Sequence, residues 1–362
     1  MSANDQFSIK IQQWYSENKR DLPWRHDNDP YRVWLSEIIL QQTRVAYGES
    51  YYNLFTTNFP NVHQLAAASE DKVLKLWQGL GYYNRARNLH KTAILVANNM
   101  GGIFPTTYKD LLALPGVGPY TAAAISSICY NEPHAVVDGN VFRVLSRFFG
   151  IKTPIDQHQS KKQFETLAND LLDPNQPGNY NQAIMEFGAI QCKPKSPNCH
   201  QCMLNQSCVA RQTDKVSEYP YKEKNIKIKK RYFNYIVPLL PNNKTAIIQR
   251  KEKDIWQHLY QFPLIESKSP LTPKNMSLQQ QLPAWALSDE LYLFNPKPWV
   301  HQLTHQYIYA SFWIAPTNAV PHKSISIAKL TDYPVSRLIE RFLHKFFAVS
   351  YTHLTLPTTS PV

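Results

Sequence analysis

The chain has 362 residues, of which 43% are hydrophobic, and its formal net charge is +12. This length suggests two or three domains with ordinary cores, and the basic charge favours a polyanionic partner such as nucleic acid. The sequence has no apolar run long enough for a transmembrane helix, and Met1–Lys10 lacks an apolar signal core. We therefore expect a protein of a reducing, bacterial cytoplasm that does not bind membranes.

Residues 1–212 are expected to form helices joined by short loops. Asp29 followed by Pro30 is a typical helix start, and apolar residues at helical spacing predict a helix over Tyr31–Gln42. Glu37 lies within this helix among apolar neighbours. Because burial raises the pKa of a carboxyl group, Glu37 is suited to general-acid work, with a surface glutamate as the alternative interpretation.

A short glycine-containing turn, Leu114–Gly118, lies between two helical patterns. Such a turn exposes backbone amides and, at the start of the next predicted helix, Thr121–Cys129, can hold a phosphate. Asp138 stands just before a further predicted helix, Val141–Phe149. The helix dipole there favours an ionised carboxylate, which can stabilise an oxocarbenium ion at a sugar C1′. Taken alone, the turn and the aspartate are an ordinary turn and an ordinary N-cap.

Four cysteines are separated by six, two and five residues: Cys192, Cys199, Cys202 and Cys208. Thiolates this close in sequence can converge on one metal centre, and four of them suit either an iron–sulfur cluster or zinc. The spacing favours the cluster. The fifth cysteine, Cys129, lies in an apolar stretch and is expected to be a buried hydrophobic residue.

The composition changes after residue 212, where residues 213–231 form a basic linker before an α/β domain over 232–347. The predicted elements are a hairpin of Tyr232–Leu240 and Thr245–Arg250, strand-like sequence in Trp299–Trp313, and a closing helix, Ser336–Phe347. Residues 348–362 are predicted to be a non-native or disordered tail. Part of this tail, Ser350–Thr359, is similar to the translation of a sequencing-library adapter.

These motifs resemble the helix-hairpin-helix DNA glycosylases, whose hairpin is similar to Leu114–Gly118 and whose catalytic loop is similar to Val136–Val141. The four cysteines match the cluster loop of the endonuclease III branch. Within that branch, three segments resemble the MutY family of adenine DNA glycosylases: Leu22–Arg25, Ser36–Thr43 and Gly79–Tyr83. The resemblance implies an all-α helix-hairpin-helix glycosylase domain whose cluster loop, residues 192–208, binds a [4Fe–4S] cluster.

The resemblance also implies roles for single residues. Glu37 would protonate adenine N7 and then activate water, and Asp138 would stabilise the sugar cation. Tyr120, near the sugar with Asn140, stands where strand-cutting relatives carry a lysine; a phenol cannot form their Schiff base, so hydrolysis alone is expected. The residues implied to contact DNA are Arg25, Gln42, Thr43, Tyr82, Leu114, Gly116, Val117 and Gly118.

Residues 232–347 resemble the MutT-like, or Nudix-like, C-terminal domain of the MutY family. Residues 264–299 lack the glutamate cluster of the MutT hydrolases, so this domain is expected to bind rather than to hydrolyse. His301–His305 falls where the family has a His-x-Phe-Ser-His recognition loop. The resemblance implies 8-oxoguanine recognition by Leu303, Thr304 and His305, although Leu303 replaces an aromatic residue.

The sequence therefore predicts a monomeric, nucleoid-associated base excision repair enzyme. It would hydrolyse the N-glycosidic bond of adenine opposite 8-oxoguanine or guanine in double-stranded DNA. One alternative is an endonuclease III-like glycosylase and lyase on oxidised pyrimidines, against which Tyr120 argues. The other is a non-catalytic DNA-binding protein with a structural cluster, against which the joint presence of Glu37 and Asp138 argues.

Overall fold

A computed structural model describes residues 3–223, 228–271, 282–287, 291–318 and 320–354 of the chain. The chain divides into two compact units. The first comprises Met1–Ala68 and Arg87–Asn225, and the second comprises Ser69–Ala86 and Ile226–Val362. The first unit is built of helices and the second contains a β-sheet, so the predicted order of a helical domain followed by a sheet-containing domain is confirmed.

Short loops join the helices of the first unit. These helices are α1 (Ala3–Asn18), α2 (Pro30–Leu40), α3 (Val45–Asn58), α4 (Val62–Ala67), α6 (Asn84–Asn99, from Arg87 onward), α7 (Tyr108–Leu112), α8 (Pro119–Tyr130), α9 (Gly139–Phe149), α10 (His158–Asp170), α11 (Pro177–Ile190) and α12 (Val209–Gln212). A 3₁₀ turn, Pro23–Arg25, precedes α2, and α5 (Glu70–Leu76) belongs to the second unit. No helix in the described ranges has both the length and the apolar character required to cross a bilayer.

Helix α2 starts as its sequence predicts. The Asp29 carboxylate accepts a hydrogen bond from the backbone amide of Arg32 at 2.9 Å, and Pro30 occupies the first turn. The helix ends at Leu40, two residues before the predicted end, because Gln41 with a ψ of 113° and Gln42 with a φ of 58° both leave the right-handed helical conformation.

Helix α11 fixes the loop that precedes α9. The side chain of Asn181 is fully buried; its amide donates to Ser127 Oγ at 2.9 Å and to the carbonyl of His134 at 2.8 Å, and it accepts from the amide of Val136 at 3.0 Å. Further along α11, a Cβ on Gly188 would lie 2.7 Å from Asn140 Cβ, so the two helices approach this closely only because Gly188 has no side chain.

The second unit is centred on a mixed β-sheet. Its strands are β1 (Lys229–Leu239), β5 (Leu264–Ser267), β6 (Tyr292–Leu293), β7 (Trp299–Leu303) and β8 (Gln306–Pro316), in the order β5-β1-β8-β6, with β7 also paired to β8. Strands β1 and β8 are parallel, and the other pairs are antiparallel. Helix α13 (Arg337–Leu354) covers the sheet by stacking Phe342 on Phe312, with ring centroids 4.2 Å apart.

The prediction of a hairpin between Tyr232–Leu240 and Thr245–Arg250 is wrong. Only an isolated bridge between Leu240 and Lys244 forms there in the described residues. Pro238 in β1 has no backbone N–H to donate to a second ladder. The following residues form two short strands that pair elsewhere: β2 (Lys244–Ala246) with β9 (Ser324–Ser326), and β3 (Ile248–Gln249) with β4 (Tyr260–Gln261).

Strand-like sequence predicted in Trp299–Trp313 forms a tight hairpin of β7 and β8, with Thr304 and His305 in its turn. Helix α13 continues through the first part of the predicted tail, to Leu354, and residues 355–362 lie outside the described residues. Residues 224–227 of the predicted linker also lie outside them.

The buried amide of Asn181 gives a prediction about stability. Replacing Asn181 with Leu keeps the approximate volume but removes the partners of the buried Val136 amide and of the partly buried His134 carbonyl. We expect the free energy of unfolding to fall by about 3 kcal/mol. Chemical denaturation followed by circular dichroism measures this change. Asn179→Leu, on the exposed side of the same helix, is the control and should change little; equal losses in both variants would contradict the role of Asn181.

Candidate active site and DNA-facing groove

The four predicted catalytic residues line one cavity of the first unit. Its volume is about 150 Å³, and Glu37, Tyr120, Asp138 and Asn140 all face it. Helix α2 supplies Glu37, α8 supplies Tyr120, and the start of α9 supplies the other two. Further lining residues are Arg20, Trp24, Arg25, Thr43, Gln182, Met185 and Glu186. Elements that are distant in sequence therefore converge on a single pocket.

Glu37 is an acid with an unusually high proton affinity. Only 9% of it is exposed, and burial raises the pKa of its carboxyl group to about 7. A hydrogen bond from Tyr120 and the charge of Arg25 lower this pKa, whereas the charge of Asp138 raises it. A carboxyl group in this range can donate a proton and later accept one near neutral pH.

Asp138 caps the N-terminus of α9. Its carboxylate accepts hydrogen bonds of 2.8 Å from the backbone amides of Asn140 and Val141 and from Asn140 Nδ2. Burial nevertheless raises the pKa of Asp138, against these hydrogen bonds and the charge of Arg143, which lower it. Desolvation therefore affects the pKa of Asp138 more than the helix dipole and the hydrogen bonds that favour its ionised form. A carboxylate ionised in such a site gains strongly from a nearby developing cation.

Arg143 connects Asp138 to the segment that carries the cysteines. Its Nη2 donates to Asn140 Oδ1 at 2.8 Å and to the Gly188 carbonyl at 2.6 Å, and its Nε donates to the Cys192 carbonyl at 2.8 Å. Arg143 therefore fixes the side-chain amide of Asn140, whose Nδ2 in turn donates to the Asp138 carboxylate. The Tyr120 hydroxyl, which bonds Glu37, also lies 3.2 Å from Met185 Sδ.

An ion-pair cluster around the buried Glu186 forms another side of the cavity, and two of its members, Arg20 and Glu186, were not predicted from the sequence. Glu186 is 1% exposed; it accepts from Arg20 Nε and Nη2 at 2.7 Å and from Arg25 Nη2 at 2.9 Å. Burial raises the pKa of Glu186, but the hydrogen bonds from Arg20 and Arg25 outweigh it and lower the pKa to about 2. The available signal was a single charge within the apolar run Ala183–Ile190.

A groove of about 1110 Å³ adjoins the cavity. Glu37 and Asp138 line both, which shows that the cavity and the groove are continuous. Gln42, Thr43, Gly116 and Gly118 also line the groove, together with the cationic residues Arg44, Arg143, Arg147 and Lys222. A groove with this lining is suited to a polyanion.

The Leu114–Gly118 turn joins α7 to α8. Gly116 has a φ of +77°, and a Cβ there would lie 2.6 Å from Asn88 Cβ, so this position requires glycine. Within the described residues, no acceptor bonds the backbone amides of Gly116 and Gly118, which can therefore receive a phosphate oxygen. Leu114 and Val117 are buried, so their side chains pack into the core.

All four clustered cysteines line one small cavity of about 30 Å³: Cys192, Cys199, Cys202 and Cys208. Arg147 Nη1 donates to Cys192 Sγ at 3.4 Å. Across the described ranges, no three His, Cys, Asp or Glu side chains are close enough to hold a single metal ion. The four thiols thus share one cavity.

The remaining predicted residues lie in the second unit. Tyr82, 52% exposed, follows Gly79 and Gly81 in the loop after α5. Thr304 and His305 are exposed in the β7–β8 turn, whereas Leu303 is half-buried against the sheet core. Tyr82 and Thr304 meet through their hydroxyl groups, which are 2.9 Å apart.

Comparisons with known proteins show which family the chain is similar to. The family model described as "HhH-GPD superfamily base excision DNA repair protein" matches residues 35–170. The adenine DNA glycosylase of Buchnera aphidicola subsp. Schizaphis graminum is 37% identical over 263 residues, which cover 72% of this chain and 76% of that protein. The adenine DNA glycosylase of Homo sapiens is 44% identical over 215 residues, covering 57% of this chain and 39% of the human protein.

Solved structures share the helical fold. A thermostable thymine-DNA glycosylase is 30% identical with a TM-score of 0.54, covering 58% of this chain and 97% of its own. Endonuclease III in a non-covalent DNA complex is 20% identical with a TM-score of 0.51, covering 59% and 99%, and shows the fold alone. From the relatives' identity and coverage it follows that the chain belongs to the adenine DNA glycosylase family, hydrolases of base excision repair that remove adenine from DNA.

Proposed function

We propose that this enzyme hydrolyses the N-glycosidic bond of adenine opposite 8-oxoguanine or guanine in double-stranded DNA, as a monomer and without cutting the strand. The observation that carries the proposal is the shared cavity of Glu37 and Asp138, where burial raises the pKa of Glu37 to about 7. Two carboxyl groups with different proton affinities are what acid-assisted cleavage of a glycosidic bond requires.

The two carboxyl groups divide the chemistry. Protonated Glu37 donates its proton to adenine, at N7 by the family resemblance, and the C1′–N9 bond breaks with its electron pair going to the base. Ionised Asp138 stabilises the positive charge that develops on the sugar. Water then adds to C1′ as the Glu37 carboxylate takes one of its protons, which restores the enzyme for the next turnover.

The composition of the cavity supports hydrolysis rather than strand cleavage. Tyr120 lines it where a lyase would need an amine, and no described residue that lines it is a lysine. The phenol donates a hydrogen bond to Glu37, and its oxygen contacts Met185 Sδ at 3.2 Å. Asn140, whose amide bonds Asp138, keeps the carboxylate turned toward the cavity.

The groove supports a set of DNA contacts. The amides of Gly116 and Gly118, with the backbone of Leu114 and Val117 beside them, would bind a phosphate, and the cationic lining would attract the strand. Base chemistry requires an extruded nucleotide, so a side chain must fill the gap. Exposed Gln42 is proposed for this role in the first unit, with Thr43 beside it.

Arg25 is proposed to shape the base pocket. Glu186 holds its guanidinium at the cavity, and the Arg25 charge lowers the pKa of Glu37. A guanidinium fixed by this ion pair would keep the base pocket open before the base enters.

The second unit is proposed to read the base opposite adenine. A mixed sheet covered by α13, with no glutamate cluster in residues 264–299, supports a Nudix-like domain that binds and does not hydrolyse. Exposed Thr304 and His305 would meet 8-oxoguanine, with Leu303 as their anchor in the core and Tyr82 as the intercalating ring. The limits 1–212, 213–231 and 232–347 and a location at the bacterial nucleoid stay predictions.

The four clustered cysteines are proposed to bind a [4Fe–4S] cluster. Sulfurs that share one tetrahedral zinc ion lie about 3.8 Å apart, given a Zn–S bond of about 2.3 Å. In a four-iron cluster each thiolate binds a different iron, so the thiols surround a space instead of a point. All four cysteines line one cavity, and this shared space supports the assignment together with their spacing in the sequence. Such a cluster would hold the 192–208 loop and supply no step of the hydrolysis.

The substrate assignment predicts an order of rates. Under single turnover, the enzyme should remove adenine opposite 8-oxoguanine fastest, adenine opposite guanine more slowly, and oxidised pyrimidines not at all, with strand breaks only after alkali treatment. Asp138→Asn should lower the rate by at least about 10²-fold and keep DNA affinity, because only the charge that stabilises the cation is lost. Asp170→Asn, on the exposed end of α10, is the control. Preference for a pyrimidine lesion would overturn the assignment.

The raised pKa of Glu37 predicts the pH dependence. Because the protonated form donates, the single-turnover rate should fall as pH rises through about 7. Tyr120→Phe removes a hydrogen bond that lowers this pKa, so the fall should move to higher pH. Tyr47→Phe, which changes an exposed hydroxyl bonded to Tyr51, is the control. A shift to lower pH in Tyr120→Phe would contradict the role of that hydrogen bond.

The cluster assignment predicts metal content and colour. The purified protein should contain about four iron and four sulfide per chain and absorb visible light by thiolate–iron charge transfer. Cys208→Ser should lose iron and absorbance, whereas Cys129→Ser should keep both because Cys129 lies outside the cavity. One zinc per chain without iron would show that the cluster assignment is wrong.

A further inference from the structure

The second unit has an open groove of about 660 Å³ beside the start of β7. The loop that leads into β7 forms one side of it, and the second half of α13 forms the other. None of the described residues that line it is acidic. Its apolar lining consists of Phe294, Pro296, Pro298, Trp299 and Ala348, and its cationic lining consists of Lys297 and Lys345.

Buried contacts fix the loop side of this groove. The side chain of Asn295 is 3% exposed, and its Nδ2 donates to the carbonyls of Lys297 at 3.1 Å and Ala310 at 2.9 Å. Its Oδ1 accepts from the backbone amide of Phe312 at 2.8 Å. The Trp299 ring packs against the same phenylalanine, with centroids 5.5 Å apart. The groove is therefore formed before any partner arrives, which lowers the entropy lost on binding.

Two cations of α13 lie over the Trp299 ring. The guanidinium of Arg341 is 4.6 Å from the ring centroid, and the ammonium of Lys345 is 5.1 Å from it. The two residues are four positions apart and therefore project from the same face of the helix. Both are exposed, so the attraction of the ring holds them in place while their charges stay accessible.

No carboxylate pairs with these cations in the part of the chain that the structure describes. Glu340 is the single acidic residue of α13, and it accepts instead from Arg337 at 3.0 Å and from Gln78 at 2.9 Å. Lys297, on the loop side, is also exposed and pairs with no described carboxylate. The groove thus combines an apolar floor with positive charge that its own unit leaves uncompensated.

We propose that this groove binds an acidic segment of a partner protein, in which carboxylates stand next to an apolar side chain. The carboxylates would pair with Arg341, Lys345 and Lys297, and the apolar side chain would lie on Trp299 and the two prolines. Arginine and tryptophan are residues that often dominate binding at protein interfaces. Complementary charge would orient the segment along the groove. This partner surface is separate from the proposed hydrolysis and does not depend on it.

The lining favours a peptide over nucleic acid. A duplex presents sugars and phosphates, which could use the cations but would leave the apolar floor unoccupied. A single strand would have to stack its bases on Trp299, where Arg341 and Lys345 already lie. Trp299 also stands at the end of β7 away from the turn that follows Leu303. Four steps of about 3.4 Å along a strand place these two ends roughly 14 Å apart.

Fluorescence anisotropy with the full chain and a labelled peptide, Asp-Asp-Asp-Leu-Phe, tests the proposal. The peptide should bind saturably, and its affinity should fall as ionic strength rises. Replacing its three Asp by Asn, or its Leu-Phe by Ser-Ser, should each weaken binding about 10-fold, because charge and apolar contact both contribute.

Charge reversal on α13 identifies the surface. The double variant Arg341→Glu with Lys345→Glu should weaken peptide binding at least about 10-fold, since repulsion replaces attraction. The matched control is Lys323→Glu with Lys329→Glu, which reverses two exposed lysines of the same unit outside the groove and should bind as the wild type does. All substituted side chains are exposed, so the unfolding midpoint of each variant should match that of the wild type.

The glycosylase reaction separates a protein partner from DNA. The α13 double variant should keep the single-turnover rate and the duplex affinity of the wild type, and excess duplex should not displace the peptide. Absence of peptide binding, or equal binding by the α13 and control variants, would overturn the proposal. Loss of duplex affinity in the α13 variant, with displacement of the peptide by duplex, would assign the groove to nucleic acid and overturn it as well.

Discussion

Removal of both carboxyl groups from water is the constraint on which the rest of the site depends. Burial is the largest influence on both and raises the pKa of Glu37 and of Asp138. They differ in the hydrogen bonds that oppose burial. Asp138 accepts three N–H donors and lies near Arg143, whereas Glu37 has a single phenol donor. A shared proton therefore prefers Glu37, which assigns the acid to one side of the cavity and the anion to the other.

This division holds only while the start of α9 stays in place. Asn181 fixes the loop before it, Gly188 allows α11 to approach Asn140, and Arg143 joins that asparagine to the Cys192 carbonyl. Arg147, one turn further along α9, donates to the Lys193 carbonyl at 2.8 Å. The cysteine loop and Asp138 are thus attached to the same helix through two buried arginines. Disorder in the loop would deprive Arg143 of the Cys192 carbonyl and Arg147 of the Lys193 carbonyl.

The sequence predicted those features that depend only on residues close together along the chain. The Asp29 cap, the Gly116 turn and the burial of Glu37 among apolar helix neighbours all belong to this class. What depends on distant segments was not predictable. The pKa of Asp138 rises because its surroundings exclude water. Glu186 pairs with Arg20 and Arg25, which lie 166 and 161 residues earlier in the chain.

Pairing between strands shows the same limit. Alternating residues and a turn predicted one hairpin near residue 240, but the partners of β2 and β3 lie further along the chain, at β9 and β4. The β7–β8 turn, in contrast, is closed by adjacent residues, and its exposed pair Thr304 and His305 stands where the sequence motif predicted a recognition loop.

Backbone strain links the proposed wedges in the two units. Gln42 and Tyr82 have φ values of 58° and 48°, conformations that cost a non-glycine residue about 1–2 kcal/mol. Each is exposed and follows directly on a helix end or a glycine, so neither gains burial that would offset the strain. A relaxed backbone would let these side chains fold back against the surface. For the proposed wedge role, this strain would be the cost of presenting the two side chains outward before DNA arrives, which would reduce the entropy lost on binding.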